Sequence, residues 1–326
     1  MRLLKLVPDD TNIDFLKWRN LAMIFSTVMI IASIGLVAVR GLNFGIDFLG
    51  GQSVRVEFAK APPIDEVREY VDTLGYGDAT IQQMGSPKIL SIRTGVPEGD
   101  ANATDKAAEA LKSVIQKHYP DAKFGSVSTV SGKVSGELVK SGGLSLALAM
   151  LGISIYIWFR FEWQFGVGAL FSLVHDVALT FGFFALTQLE FNLNIIAALL
   201  TIIGYSLNDT IVVYDRVREN LKKYRKMDII SLLNLSVNET LSRTIMTSLF
   251  MIITLGILLI FGPEVIFGFT AAMLLGIFIG TYSSVYMACA ILVWLKVSPA
   301  SFLSSEGKDT QGAERVGPRN SDGAVV

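Results

Sequence analysis

Two hydrophobic patterns divide the chain. Predominantly apolar stretches run over 21–39, 143–159, 165–186, 193–214, 245–261 and 266–295. Each has about the 17 residues or more that cross a bilayer as a helix. The first would be about 28 Å long at 1.5 Å per residue, close to the hydrocarbon thickness. The last is longer than a span requires, which predicts tilt or extension into the interface.

Between the first two stretches the pattern becomes that of a water-soluble domain. Residues 53–59, SVRVEFA, alternate with period two and predict a strand. Pro62-Pro63 closes it and opens a helix over 64–74, ended by Gly75. Segments 79–84 and 88–93 predict a hairpin around Gly85-Ser86-Pro87. A helix over 100–118 carries Ala107, Ala108, Leu111, Val114 and Ile115 on one face, and Pro120 stops it. Residues 123–130 alternate again. The order β-α-β-β-α-β is the split βαβ or ferredoxin-like arrangement, and about 80 residues suffice for one small core.

The predicted fold class is therefore a multi-pass α-helical membrane protein. It has six transmembrane helices and one extracytoplasmic ferredoxin-like α+β domain between helices 1 and 2. The expected division is a cytoplasmic N-terminus at 1–20, the first span at 21–39, the external domain at 40–140, a five-helix bundle at 141–296 and a disordered cytoplasmic tail at 297–326.

Composition agrees: 51% of residues are hydrophobic and 17% charged, where a soluble domain carries about 25% charged residues. The net charge of −1 says little, but its placement orients the chain. Arg2, Lys5, Lys17 and Arg19 precede the first span, and Arg216, Arg218, Lys222, Lys223, Arg225 and Lys226 follow the fourth. The loops 188–192 and 262–265 hold no Lys or Arg. Both termini are thus expected in the cytoplasm. Trp18, Trp158, Trp163 and Trp294 fall at the predicted cytoplasmic ends, as interfacial anchors do. The N-terminal apolar run reads as an uncleaved first span, because no small-residue cleavage site follows it. No basic tract with interleaved aromatics points to nucleic acid. A single Cys289 excludes an internal disulfide and any cysteine-cluster metal site. No cofactor motif and no catalytic constellation is present, so an enzyme is not expected.

The informative chemistry is intramembrane. Asp209 lies within a span, where a carboxylate costs about 2.5–3.5 kcal/mol even on insertion scales. Helical spacing puts Thr201, Tyr205 and Asp209 on one face with Ser206 close by, and this polar face is expected to turn toward the bundle. Gly204 would admit a neighbouring helix. Asp209 reads either as a proton-handling group or as half of a permanent ion pair. Arg243 opens the fifth span, where a snorkelling arginine is common. Asp176 sits mid-span beside His175, and adjacent helical residues point about 100° apart, so the two need not touch. Asp176 reads either as part of a polar interhelical network or as part of a proton route, and His175 as a hydrogen-bonding residue. The pair supplies too few ligands for a metal. His118 reads as a surface histidine, Asp215, Arg216, Arg218 and Glu219 as a solvated helix end, Asp47 as part of a glycine turn, and Gly276 and Gly280 as a packing face.

One span, a large external domain and five further spans is the half-unit plan of the resistance-nodulation-division superfamily. Five motifs narrow this: GIDFLGG at 45–51, VSGELVKSG at 134–142, HDVALTFGFF at 175–184, GYSLNDTIVVYDRVREN at 204–220 and SRTIMTSL at 242–249. Together they resemble the SecF side of the SecD/SecF protein-export family. The chain departs from the pattern at Ser131-Gly132, where the family often has Gly-Pro, which predicts a looser link between external domain and second span.

The resemblance implies a complex with SecD beside the SecY-E-G channel in the bacterial inner membrane. SecA and YajC are further partners, and an unfolded secretory preprotein is the cargo. The complex would use the proton gradient to draw the chain outward while SecA pushes with ATP. It also implies a proton pathway through Asp209, with Arg243 as counter-charge and Asp176 alongside. His175, Tyr205, Ser206 and Asn208 would be its supporting polar residues. An arginine stays charged, so it can favour the ionised aspartate and help release its proton when the pair separates. Three other readings stay open: a self-contained small-molecule or lipid exporter, an intramembrane enzyme with Asp176 and Asp209 as an aspartyl pair, and a passive scaffold.

Overall fold

The computed structural model describes residues 8, 11–77, 79–84, 86–96 and 103–297. Most of the expected tail, Gly85 of the hairpin turn and the start of the 100–118 helix lie outside the described residues. Among the described residues six helical segments are long and apolar enough to cross a membrane, as expected. They are built from α1 (Arg19–Arg40), α5 (Gly132–Arg160), α6 (Trp163–Thr187), α7 (Leu193–Lys223), α8 (Ile229–Phe261) and a broken last span. That span comprises α9 (Phe267–Tyr282), a π-helical turn (Ser283–Met287) and α10 (Ala288–Trp294).

Several helices outrun their apolar stretches. α7 runs to Lys223, and α8 begins at Ile229 rather than near 245. At 31 and 33 residues they are about 46 and 50 Å long, against about 30 Å of hydrocarbon. Asp228 caps α8 by accepting from the backbone N–H groups of Ile230 and Ser231. Val217 and Leu221 of α7 and Leu232, Leu233 and Val237 of α8 bury the extensions in one core. Asn234 and Asn238 of α8 bind the backbone of the N-terminal segment at Leu16 and Ile13, with N···O distances of 2.9–3.0 Å. α5 starts directly after the sheet domain: β4 ends at Val130, and Ser131 caps the helix. The link is the single capping residue Ser131, tighter than the Ser131-Gly132 departure predicts.

The soluble domain has the expected order: β1 (Gly51–Glu57), α3 (Ile64–Asp72), β2 (Thr80–Met84), β3 (Ser86–Thr94), α4 (Ala103–His118), β4 (Lys123–Val130). Its sheet is antiparallel with strand order β2-β3-β1-β4. Val54, Val56, Ile81, Leu90 and Ile92 face α3 and α4 and form the core with Val67, Val71, Leu111 and Ile115. His118 is exposed and stacks on Tyr70 with ring centroids 3.7 Å apart, as a surface residue should.

The other face of the sheet is polar, and it lies on the loops at the near ends of the membrane helices. Arg55 of β1 pairs with Glu264 in the α8–α9 loop. Arg93 of β3 donates to Phe44 O at 2.9 Å and Asn43 Oδ1 at 2.5 Å, and lies 4.0 Å from Glu190 in the α6–α7 loop. Gln82 donates to Gln188 O at 2.9 Å. The segment after α1 pairs with the same loop: Gly45 N–H donates to Phe191 O, Phe191 N–H to Asn43 O, and Asp47 accepts from Leu193 N–H. Asp47 sits in a one-turn helix, α2 (Ile46–Leu49), and serves this junction rather than a bare turn.

Gly50 and Gly51 have φ of +73° and +108°, and a Cβ on Gly51 would lie 2.5 Å from Thr94 O. Gly51→Ala should therefore lower stability by about 1–3 kcal/mol from backbone strain, before the clash is counted. Thermal unfolding should show a lower midpoint, with the 40–140 region cut first by protease; an unchanged midpoint would refute this reading.

Burial raises the pKa of Glu190, Arg93 opposes the rise and Asp47 adds to it. A group with a raised folded-state pKa costs stability as pH rises from its ordinary value, 4.5, through the raised one. Glu190→Gln should flatten the fall of melting temperature over that window and leave the junction at least as stable at neutral pH. The comparison needs only melting curves of both proteins across the window, and an unaltered slope in the variant would rule out Glu190 as its source.

Candidate functional site

Asp176 of α6 is completely buried about 17 Å from the sheet-domain end of its helix, near mid-bilayer. Three side chains hydrogen-bond to its carboxylate. His175 Nδ1 lies 2.9 Å from Oδ1, so the adjacent pair does touch, which helical angles alone left open. Oδ2 accepts from Ser206 Oγ at 2.5 Å and from Ser283 Oγ at 2.9 Å. Three spans, α6, α7 and the last, therefore meet on one carboxylate.

The last span reaches it through two local features. A Cβ on Gly280 would lie 3.0 Å from Ser206 Cβ, so the glycine sets the approach of α9 to α7. The π turn then directs two consecutive serines inward. Ser283 meets Asp176, while Ser284 lies 2.9 Å from Thr210 Oγ1 and donates to Ser206 O at 3.3 Å. A second polar chain runs from Tyr205 OH to Ser248 Oγ at 3.4 Å and on to Thr281 Oγ1 at 2.8 Å. Thr210, Ser248, Thr281, Ser283 and Ser284 were not among the residues expected from sequence. The run Thr281-Tyr282-Ser283-Ser284 inside an apolar span is the signal that marks them.

Asp209 is different. It lies 16 residues into α7, about 24 Å from the sheet-domain end, and is 3% exposed. Its Oδ2 is buried without a hydrogen-bond partner, as is Thr244 Oγ1 on the neighbouring α8. Arg243 is close enough for its charge to act on Asp209, yet no hydrogen bond or ion pair within 4.0 Å joins them, and Arg243 is exposed. The structure thus contains no closed Asp209–Arg243 pair. Asp176 and Asp209 do not hydrogen-bond either, so they form no aspartyl dyad. The expected polar face is split: Asp209 and Ser206 turn inward, Tyr205 is half-buried, and Thr201, Gly204 and Asn208 face outward. The charged end of α7 is tied by Arg160–Asp215 at 2.7 Å and Arg216–Glu219 at 2.9 Å, as a structural helix end.

Comparison with known proteins places this arrangement. Residues 110–298 match the C-terminal model of protein-export membrane proteins SecD/SecF, and residues 35–62 match the SecD/SecF GG motif. The chain is 45% identical over 300 residues to the protein translocase subunit SecF of Cereibacter sphaeroides, covering 90% of this chain and 93% of that one. It is 41% identical over 290 residues to the subunit of the same name from Rickettsia rickettsii, covering 89% and 94%. The crystal structure of SecDF, a translocon-associated membrane protein from Thermus thermophilus, superposes with a TM-score of 0.82 at 32% identity, over 89% of this chain. A SecDF structure in a super-membrane-facing form gives 0.62 at 31% identity over 92%. The chain spans 40% of the length of either SecDF chain.

Asp176→Asn keeps the shape but replaces one of the two acceptor oxygens that two serines and a histidine address with an amide donor. It should cost about 1–3 kcal/mol of stability. A melting midpoint equal to that of the unaltered protein would show that these contacts hold nothing.

Proposed function

The chain belongs to the SecD/SecF family of protein-export membrane proteins, and from that premise we propose that it is the SecF-type half of a SecD-dependent unit that couples proton flow to late steps of export. It is a multi-pass protein of the bacterial inner membrane, and its role is transport. Both termini lie in the cytoplasm and the sheet domain faces the periplasm. SecD covers the outward polar face of α7 and α8, where Thr201, Asn208 and Arg243 would otherwise meet lipid. SecY-E-G, SecA and YajC complete the machinery, and the unfolded preprotein is the cargo.

The observation that carries the proton role is the contrast between two carboxylates. Asp176 has a partner on both oxygens, whereas Asp209 has a buried oxygen with none. A group serving only to pack helices would be paired, because an unsatisfied buried acceptor costs about 1–3 kcal/mol. Asp209 is the group that takes and releases the proton. When ionised it is drawn to Arg243; when protonated it loses that attraction, and α7 and α8 are free to shift. Asp176, His175, Ser206 and Tyr205 hold the helices between which this happens, and Asn208 faces the partner. The self-contained exporter reading is less well supported, because the relatives this chain matches along more than nine tenths of their length are named protein translocase subunit SecF.

Asp209→Asn tests this in membrane vesicles holding SecD and the channel. Assembly should be normal and stimulation of export by the proton gradient should vanish. Stimulation at the unaltered level, with assembly intact, would move the proton route elsewhere.

A further inference from the structure

The polar face of the sheet touches the membrane helices at two unequal points. At the first, Arg93 is 6% exposed and is held by a backbone carbonyl and Asn43, with Glu190 at 4.0 Å. Asn43 in turn donates to Gln82 Oε1 at 3.1 Å and Gln188 O at 2.8 Å. This point is buried and several bonds must break to free it. At the second, Arg55 and Glu264 meet across the α8–α9 loop with side chains 29% and 21% exposed. Glu264 Oε1 is buried and has no partner, so the carboxylate is only half satisfied. Under the edge strand β2, beside Glu190 and Glu264, lies a cavity of about 190 Å³, lined by Gln82, Met84, Glu190, Ile195, Glu264 and Phe267. The edge of the sheet is therefore not packed against these loops.

We propose that Arg93 is a hinge and the Arg55–Glu264 pair a latch, so that the sheet domain lifts from the α8–α9 loop by breaking one partly exposed ion pair beside a preformed gap under its edge strand. A partly exposed ion pair contributes little, and one left incompletely hydrogen-bonded contributes less, so the closed state is only marginally favoured. The contact at Arg93 and the pairing of 43–45 with Phe191 keep the domain in register while the latch opens. The loop that is released joins α8, which carries Arg243, to α9, which leads into the π turn that holds Asp176. Opening would thus reach both elements of the intramembrane site from one end. The inference does not rest on the proton role of Asp209, because the latch is defined without a gradient.

The test places a cysteine at Ile195, a buried wall of the cavity, in the full SecD-containing complex in lipid vesicles. Cys289 is buried and gives little background labelling by a water-soluble maleimide. Glu264→Gln should raise the labelling rate about fivefold, the scale of a partly exposed ion pair. The reversed pair Arg55→Glu with Glu264→Arg should return it to the original rate, which a misfolded protein would not do. Labelling unchanged in Glu264→Gln, or a reversed pair that stays fast, would overturn the latch. The same rates in an Asp209→Asn background are expected; a rate that follows Asp209 instead would overturn its independence from the proton site.

Discussion

A carboxylate with no exposure, Asp176, ties three membrane spans together, and the rest of the intramembrane structure is arranged around keeping it satisfied. Such a group is tolerable at mid-bilayer only if donors reach it from every side. His175 supplies one from the same helix, Ser206 one from α7, and Ser283 one from the last span. The last donor requires a π turn, and the approach of α7 to α9 requires the absence of a side chain at Gly280. Once Ser206 is committed to Asp176, Asp209 lies one turn farther along α7, outside this cluster and short of partners. The two carboxylates thus share helices and differ in what is left over for them to do.

Much of this was legible in the sequence, because lipid and water impose opposite patterns on a chain. The six apolar stretches became six spans, and the period-two segments around Val54 and Val127, with the hairpin around Ile81 and Ile92, became strands of one sheet in the expected order. What hydropathy missed are the helix extensions. The stretch from Asp215 to Lys223 is charged, yet it stays helical because Val217 and Leu221 bury a stripe against Leu232 and Leu233 while Arg216 pairs with Glu219. Apolar length measures the membrane; it does not measure the helix.

The site was legible as a set of residues but not as an arrangement. Spacing identified Asp209, Asp176 and Ser206, and it could not tell which carboxylate would be satisfied. The contact between His175 and Asp176 depends on side-chain torsions, not on the helical wheel. Thr201 was expected to face the bundle with Asp209. It faces outward, because the polar stripe straddles the boundary between the chain's own core and the surface where, on the reading advanced above, SecD sits. The glycine pair at 50–51 was visible as a turn, but its reason is tertiary: β1 must pass against the carbonyl of Thr94.

The central claim is that Asp209, and not Asp176, exchanges the proton. Difference infrared spectroscopy of the SecD-containing complex between two pH values reads it directly, through the carbonyl band of a protonated carboxylic acid. The account predicts a band that appears on acidification, survives in Asp176→Asn and is absent in Asp209→Asn. A band that survives in Asp209→Asn and disappears in Asp176→Asn would reverse the roles given to the two carboxylates.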